Sequence, residues 1–398
     1  MKITKILLLF SFLILSLNLL GQTKYEKDFE SFNDIIQEHY AYLNQQKIDW
    51  RKVIAIYKPK VEQIKSDREF IILLENLLIE LQNGHSSLNV NLNTSNRLVP
   101  SGQDLFVVET NGKFWVKDVK VGSNAELAGV KIGSQVIKFN GKDIAEQLPN
   151  FLPKHVQSYT KSMRQFALDM LFAGTHDKKR SIVVQTNQAT QSIELDNRVL
   201  PNEKSTLLSV KKINSSKVLI KINNCLWNND LIGVFDQTLD SLLKVPILIL
   251  DLTDTPSGGN STVARAIMGR FINKPMAYQQ HEYDENAFET KRHWIEYVYP
   301  RKKMYQGKLF VMVGHWTGSM GEGMAIGFDA FQKPTVVGTK MAGLLGAIEG
   351  FNLKETNINF QIPTERLYHL NGKPREDFLP KVITENSTET LNYILKAK

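Results

Sequence analysis

Residues 311–346 read VMVGHWTGSMGEGMAIGFDAFQKPTVVGTKMAGLLG. A short apolar run, 309–313, leads through a glycine-containing turn to Ser319. A segment with helical character follows over 320–331. This order predicts a strand, a tight turn, a small hydroxyl side chain and the N-terminus of a helix.

The turn at Ser319 has two interpretations. The first N–H groups of a helix have no intrahelical acceptor, so they can hold an oxyanion that develops beside a nucleophilic serine. The sequence matches the G-x-S-x-G elbow only in part, because Thr317 stands in place of the first glycine. Serine is also a common helix N-cap. The stretch alone leaves nucleophile and N-cap open, and other segments must supply the partners of a nucleophile.

Composition bounds the class of protein. The chain has 398 residues, of which 42% are hydrophobic and 23% charged, as expected for a globular protein of two or three domains. The net charge of +8 is spread thinly, so no nucleic-acid surface is predicted. Cys225 is the only cysteine and no histidine pair has metal-ligand spacing, so neither a metal nor another cofactor is expected.

The N-terminus has the pattern of a signal peptide. Lys2 and Lys5 precede an apolar run over 6–20, and Gly21 marks a cleavage point. Fifteen residues are short for a membrane span. The pattern predicts export to the periplasm or outside the cell, with no stable membrane span once residues 1–21 are removed. An uncleaved anchor is the alternative.

Residues 22–97 are predicted to form an N-terminal helical region. Apolar side chains recur every three or four residues on both sides of residue 50, which indicates about three helices. A helix-stop signal at 83–84 is followed directly by His85. A histidine between a helix end and a strand is usually a surface residue, and His85 becomes a candidate base only because Ser319 requires one.

Residues 98–195 change to β-rich character. Three β-rich runs (105–108, 114–119 and 135–139) are separated by Asn-Gly and Gly-Ser turns. A short helix closed by glycines, SNAELAGVKIG over 123–133, lies between the last two. This order resembles a PDZ domain of the type found in bacterial proteases. The resemblance implies binding of C-terminal peptide segments by strand addition. A small β-rich spacer without a ligand is the alternative.

Residues 205–398 are predicted to form the core domain. Buried-strand runs at 217–223 and 245–251 flank an amphipathic helix over 230–243, which indicates a βαβ unit and a parallel sheet. The second run continues as DLTDTPSGGN over 251–260, where paired glycines before a helix let backbone N–H groups approach a ligand. The polar and aromatic stretch 275–307 is either a flap over the substrate or a surface excursion.

Four pieces in this order resemble the C-terminal-processing (tail-specific) serine peptidase family. They are LQNGHSSL (81–88), the PDZ-like segment, DLTDTPSGG (251–259) and TGSMGE (317–322). The resemblance covers the whole chain after the signal segment. It implies an α/β fold with a crotonase/ClpP-like core and a mixed βαβ sheet, an N-terminal helical region and a small β-rich PDZ domain. The tricorn core protease is a relative of that family.

The resemblance also implies roles for individual residues. Ser319 matches the nucleophile, and Glu322 matches a glutamate three positions later. Gly258 and Gly259 match glycines whose N–H groups form the oxyanion hole, with the Met320 N–H as the second donor. Threonines replace the usual arginine and asparagine of the glycine loop, so the hydrogen bonding of that loop must differ.

The base departs from the usual family pattern. In this chain Leu344 occupies the position of the family's general-base lysine, and a leucine side chain cannot take a proton. Lys340 lies four residues earlier and is the minor alternative. The chain therefore resembles a lysine-free, tricorn-like branch in which His85 is the base. Glu376 is the best match for the glutamate that orients His85. The neighbouring Asp377 is the alternative for this role.

Three functions follow from these features. The leading hypothesis is an exported serine endopeptidase that hydrolyses unfolded or C-terminally presented polypeptides through an acyl-enzyme on Ser319. The second is a catalytically inactive relative that binds peptides or an apolar ligand. The third is a structural envelope protein that uses the PDZ-like domain for interactions. The reactivity of Ser319 separates the first from the other two.

Overall fold

The computed structural model describes residues 22–186, 189–196 and 206–397, and the predicted signal peptide lies outside them. The helices, in chain order, are α1 (Lys24–His39), α2 (Trp50–Val61), α3 (Asp67–Glu80), α4 (Asn124–Leu127), α5 (Ile144–Gln147), α6 (Lys161–Ala173), α7 (Asp230–Ser241), α8 (Ser261–Met268), α9 (Met320–Ala330) and α10 (Ser387–Lys396). In this part of the chain, no helix combines the length and the apolar character that crossing a membrane requires.

The strands fall into three sheets. In chain order they are β1 (Ser87–Leu88), β2 (Leu105–Thr110), β3 (Lys113–Val119), β4 (Gln135–Phe139), β5 (Lys142–Asp143), β6 (Ser181–Gln185), β7 (Thr190–Glu194), β8 (Leu208–Lys212), β9 (Lys217–Ile222), β10 (Ile247–Asp251), β11 (Met276–Glu285), β12 (Thr290–Val298), β13 (Lys308–Val313), β14 (Thr335–Gly338), β15 (Ala347–Leu353), β16 (Ile358–Tyr368) and β17 (Val382–Ile383).

The central sheet confirms the predicted βαβ unit. Its order is β17-β14-β13-β10-β9-β8, and all neighbouring pairs are parallel except the antiparallel edge pair β8 and β9. Every residue of β10 is buried, because helices cover both faces of the sheet. The sheet is therefore mixed, as predicted, with its parallel strands in the interior.

The second sheet is antiparallel and joins the N-terminal helices to the core. Its order is β1-β16-β11-β12, with β15 also paired to β16. The predicted helices α1 to α3 are confirmed, and each begins at a polar cap (Thr23, Asp49 or Ser66) whose side chain accepts a backbone N–H. Their apolar faces share one core with β15 and β16. The N-terminal region thus packs on the core domain rather than folding apart from it.

The third sheet contains the three predicted β-rich runs, which form β2, β3 and β4. Its order is β2-β3-β4-β6-β7, with the short β5 paired to β4. The side chains of one face and the helix α6 enclose a separate apolar core. This β-rich unit corresponds to the segment predicted as PDZ-like.

The stretch 275–307 is regular structure rather than a loop. It forms the long hairpin β11–β12, and β11 pairs with β16 so that the hairpin extends the second sheet. The edge strand β12 is largely exposed and its outward positions include both polar side chains and the apolar Ile295 and Tyr297, so the alternation typical of a half-buried strand is weak. The sequence pattern therefore predicted no strand here and left a substrate flap and a surface excursion open.

The topology brings distant segments to one edge of the central sheet. Strands β9, β10 and β13 are parallel neighbours, so the loops that follow them emerge together at their carboxyl ends. The loop after β13 carries Ser319. Strand β1 pairs antiparallel with β16, with Ser87 beside Gln361, and this pairing holds the segment that precedes Ser87 in place.

Candidate active site

Ser319 occupies a strained turn at the start of α9. Its backbone has φ 51° and ψ −113°, a conformation that a residue with a Cβ adopts at a cost of about 1–3 kcal/mol. The flanking glycines are required by space, because a Cβ on Gly318 would lie 2.8 Å from the Pro256 carbonyl oxygen, and one on Gly321 would lie 2.4 Å from Thr255 Oγ1. The turn therefore holds the Ser319 hydroxyl above the end of β13.

His85 lies next to Ser319, as the proposed roles require. The distance from His85 Nε2 to Ser319 Oγ is 2.9 Å, although 234 positions separate the two residues in the sequence. The ring is 7% exposed, and the His85 backbone N–H donates to Asn83 Oδ1 at 3.0 Å. The two predicted residues are brought together within hydrogen-bond distance.

The other ring nitrogen of His85 faces a backbone carbonyl. The distance from His85 Nδ1 to the Leu345 oxygen is 2.8 Å. A carbonyl oxygen only accepts, so Nδ1 carries the proton and donates it. Nε2 then holds the lone pair that can accept the proton of the Ser319 hydroxyl. The geometry selects the tautomer that a general base needs.

Glu376 does not take the predicted place beside His85. The partner of His85 Nδ1 is the Leu345 carbonyl, and Glu376 lies in a short 3-10 helix, Arg375–Asp377. Its Oε2 atom is buried without a hydrogen-bond partner in the described residues, and burial raises the pKa of its carboxyl. Asp377 is exposed. The prediction of a carboxylate in direct contact with His85 is therefore wrong, because the chain uses a backbone acceptor there.

Glu322 holds the two sides of the site together. Its fully buried carboxylate accepts the backbone N–H of Ser319 at 2.8 Å, of Gly343 at 2.8 Å and of Leu344 at 3.3 Å. The same group thus fixes the nucleophile and the segment that ends at the Leu345 carbonyl. Burial raises the pKa of Glu322 to about 7.

Arg375 fixes the same segment from the other side. Its buried guanidinium donates to the carbonyl oxygens of Leu344 at 2.8 Å and Gly346 at 3.1 Å, and Nη2 lies 3.9 Å from Glu322 Oε2. The sequence carried no signal for Arg375, since an arginine after a proline in a polar stretch is ordinary. Its charge opposes protonation of His85, and burial together with this charge lowers the pKa of the histidine to about 4.

Leu344, at the position where the family has its general-base lysine, lies close to Ser319 through Gly318. The side chain of Leu344 is buried and lies between Gly84 and Gly318. A Cβ added to Gly84 would be 3.0 Å from Leu344 Cδ2, and one added to Gly318 would be 3.1 Å from Leu344 Cδ1. Lys340, the alternative base, is exposed and makes no contact with Ser319 among the described residues. The one proton acceptor within reach of Ser319 Oγ in this part of the chain is His85.

The glycine loop after β10 lies against the nucleophile. Gly258 has φ +63°, and a Cβ there would be 2.3 Å from the Ser319 Cβ. The Gly258 N–H donates to the Thr255 carbonyl at 3.1 Å, so the structure does not leave it free for the predicted oxyanion role. In the described chain the Gly259 N–H has no backbone acceptor. Met320 is the first residue of α9, and the first N–H groups of a helix have no intrahelical acceptor. These two N–H groups are therefore the candidate oxyanion donors.

Two threonine hydroxyls, one from each loop, join the glycine loop to the loop after β13. Thr255 Oγ1 and Thr317 Oγ1 both donate to the Leu252 carbonyl, at 2.9 and 2.8 Å. Thr317 Oγ1 also accepts the Gly314 N–H at 2.9 Å, which explains a threonine at the first elbow position. The loops after β10 and β13 are thereby joined into one rigid platform.

The β-rich unit contacts this platform directly. The Trp316 indole N–H donates to the Gln103 carbonyl at 2.8 Å, and the ring of His315 stacks on Phe106 with 3.6 Å between centroids. Lys120 forms an ion pair of 2.7 Å with Asp254 in the glycine loop. Both loops beside Ser319 thus rest on the start of β2 and the end of β3.

Two protein-family models match parts of the sequence. The sequence model of Peptidase family S41 matches residues 219–380, and that of the tricorn protease C1 domain matches residues 22–78. No curated protein matches the chain in a sequence search. Residues 219–380 carry an S41 peptidase domain, and the chain is a serine peptidase.

Similar solved structures share the fold over nearly the whole chain. Mature CPAF in complex with lactacystin has 12% identity and a TM-score of 0.66, covering 94% of this chain and 97% of its own. The photosystem II D1 C-terminal processing protease has 13% identity and a TM-score of 0.57, covering 95% and 98%. A lipoprotein from Streptococcus agalactiae has 13% identity and a TM-score of 0.50, covering 95% and 96%. At such identities the likeness concerns the fold alone.

Proposed function

We propose that the chain is an exported serine endopeptidase that cleaves unfolded or C-terminally presented polypeptides. The observation that carries the proposal is the contact of 2.9 Å between His85 Nε2 and Ser319 Oγ, with the opposite ring nitrogen held by the Leu345 carbonyl. The serine peptidase class is established by the S41 domain, while export and the kind of substrate are the proposed part.

The first half of the reaction forms an acyl-enzyme. Ser319 Oγ attacks the scissile carbonyl carbon as His85 Nε2 takes the hydroxyl proton. The N–H groups of Gly259 and Met320 hold the resulting oxyanion, and each such donor contributes a rate factor on the order of 10²–10³. Imidazolium His85 then gives the proton to the leaving amine as the C–N bond breaks.

The second half releases the new C-terminus. Water gives a proton to His85 Nε2 and attacks the acyl carbon, and the proton returns to Ser319 Oγ as the ester bond breaks. His85 starts each half as a neutral base, in agreement with its lowered pKa. Glu322 and Arg375 touch neither substrate nor the reacting atoms, and act as positioning residues.

Three features support the substrate and the compartment. The sequence of residues 98–195 resembles a PDZ domain, and such domains bind C-terminal segments by strand addition. We further propose that the central sheet is a crotonase/ClpP-like core. The basic and apolar pattern of residues 1–21 supports export, and the D1 C-terminal processing protease, which shares the fold, acts by its name at a C-terminus.

The test is cleavage of unfolded casein and a mixed peptide set by the protein without residues 1–21, with Ser319→Ala as the matched control and mass spectrometry as the readout. Cleavage by the wild type alone supports the proposal, and cuts near C-termini support C-terminal presentation. Equal cleavage by both forms, or none by a folded wild type, contradicts it.

Binding of an apolar ligand is the second candidate function, and one observation favours it. A cavity of about 360 Å³ lies between α3, α6 and the segment around His85, and its wall includes Gly84, Ser86, Leu88, Val99, Phe151 and Phe166. A folded protein that binds apolar compounds in this cavity, while Ser319 stays unreactive, would favour this candidate.

A further inference from the structure

Trp227 is the most exposed tryptophan of the chain. Its side chain is 62% exposed, whereas Trp50 and Trp316 are almost completely buried. Trp227 lies after the carboxyl end of β9, at the edge of the sheet where Ser319 is presented. A single exposed apolar residue is common on protein surfaces, so its exposure alone does not indicate function.

The turn that carries Trp227 is held at two points, the indole by a residue of the same turn and the backbone by the glycine loop. Its N–H donates to the Asn224 carbonyl at 3.3 Å, and the Trp227 carbonyl accepts from Asn260 Nδ2 at 3.2 Å. Asn260 also caps α8 through the Val263 N–H at 2.9 Å. A rigid aromatic side chain can bind a partner with little loss of conformational entropy.

Contacts connect Trp227 to the nucleophile step by step. Asn224 exchanges two hydrogen bonds of 3.0 Å with Ser257. A Cβ on Gly259 would lie 2.3 Å from the carbonyl carbon of Leu226, the residue before Trp227. A Cβ on the neighbouring Gly258 would lie 2.6 Å from Ser319 Oγ. The segment 224–227 therefore packs on the glycine loop, which in turn packs on Ser319.

We propose that Trp227 binds an apolar or aromatic side chain of the polypeptide substrate beside the scissile bond. An indole with most of its surface in water gains free energy when an apolar side chain covers it, and aromatic pairs gain more. Unfolded polypeptides expose such side chains, whereas folded proteins bury them. The proposal rests on the proposed function and adds the substrate class: chains with an apolar residue at the cleavage point.

The test compares Trp227→Ala with Trp227→Phe on matched peptides that carry Leu, Phe, Ser or Asp on either side of the cut bond. We expect Trp227→Ala to lower kcat/KM about tenfold for the Leu and Phe peptides, mainly through KM, and to leave the Ser peptide nearly unchanged. Trp227→Phe should retain most of the preference. Phe288→Ala is the control, since Phe288 is 80% exposed in the turn of the β11–β12 hairpin.

A binding experiment separates this proposal from the proposed function. The measurement is the affinity for a fluorescently labelled Leu peptide, followed by fluorescence anisotropy. It compares the single variant Ser319→Ala with the double variant that also carries Trp227→Ala. About tenfold weaker binding by the double variant supports the subsite, even if the wild type cleaves nothing and the proposed function fails. Equal affinities, or an unchanged apolar preference in Trp227→Ala, would overturn the subsite while leaving the peptidase intact.

Discussion

The Leu345 carbonyl oxygen lies 2.8 Å from His85 Nδ1, at the place where a catalytic triad normally has a carboxylate. A carbonyl fixes the ring and its tautomer, but it stabilises imidazolium less than a full negative charge does. Burial and the nearby Arg375 oppose the charged form further. His85 is therefore well oriented as a base, and its environment keeps it neutral.

The first prediction concerns the glutamate expected from the sequence. Glu376→Gln should lower kcat less than about tenfold, because its carboxyl does not contact His85. Removing the charge from a carboxylate that does orient a histidine costs about 10⁴-fold. Steady-state kinetics on one peptide decides between these values. A loss of about 10³-fold or more would restore Glu376 as the third member of the triad.

The second prediction separates the two candidate bases. His85→Ala should lower kcat by at least about 10³-fold, since Ser319 Oγ loses its proton acceptor. Lys340→Ala should keep activity within about twofold, because Lys340 is exposed and apart from Ser319. The two variants are assayed side by side with their circular dichroism spectra. Loss of cleavage in Lys340→Ala alone would show that the base is assigned wrongly.

The third prediction concerns the buried carboxylate of Glu322. Glu322→Gln replaces one acceptor oxygen by a donor that faces backbone N–H groups, which costs about 1–3 kcal/mol. If this strain misplaces Ser319 or the Leu345 carbonyl, kcat falls about 10- to 100-fold with little change in KM. Glu349→Gln, at an exposed position, is the matched control. A kcat of Glu322→Gln equal to that of Glu349→Gln would contradict a positioning role of Glu322.

The fourth prediction is the pH dependence of kcat/KM. His85 acts as a base only when neutral, and with a pKa of about 4 it is neutral above that pH. Glu322 accepts its three N–H groups best as a carboxylate, which with a pKa of about 7 predominates above pH 7. Activity should therefore fall as the pH drops through about 7, and again near 4.

The variant Glu322→Gln isolates the two steps of that profile. The fall near pH 7 should disappear in this variant, and the fall near pH 4 should remain. A fall near pH 6.5, the ordinary pKa of histidine, that persists in Glu322→Gln would contradict the burial effect on His85.

The fifth prediction concerns the glycine loop. Gly258→Ala should lower kcat at least about 10²-fold, because the added Cβ would meet Ser319 Oγ at 2.6 Å and the backbone has φ +63°. Gly350→Ala is the control, since no heavy atom lies within 4 Å of its added Cβ. Both variants are compared for kcat and thermal unfolding. Wild-type kcat in Gly258→Ala would show that the loop does not approach the nucleophile.

Much of the fold was predictable because its signals are local. The apolar runs before Asp251 and Gly314 are buried strands, and their periodicity and turn residues mark both ends. Ser319 was indicated by a local pattern, a hydroxyl at a helix start, whereas His85 was assigned through the resemblance of LQNGHSSL (81–88) to a peptidase family. The hairpin β11–β12 was missed, because its exposed edge strand β12 carries polar and apolar side chains without clean alternation.

The supporting part of the site was not predictable in the same way. The partner of His85 Nδ1 is a backbone carbonyl, which every residue carries, so no residue type marks Leu345. Arg375 acts through its contacts with two carbonyl oxygens, and these exist only after β15 and the 3-10 helix are packed together. Glu322 stood in a recognised motif, but its role depends on the position of Gly343 in space.

The most direct measurement is the reaction of Ser319 with a fluorophosphonate, followed by intact mass in wild type, Ser319→Ala, His85→Ala and Glu376→Gln. The reagent phosphonylates an activated serine and loses fluoride. We expect one adduct on the wild type and on Glu376→Gln at similar rates, none on Ser319→Ala, and labelling slowed by at least about 10²-fold in His85→Ala. Equal labelling of His85→Ala and the wild type, or no adduct on any folded form, would contradict a nucleophile activated by His85.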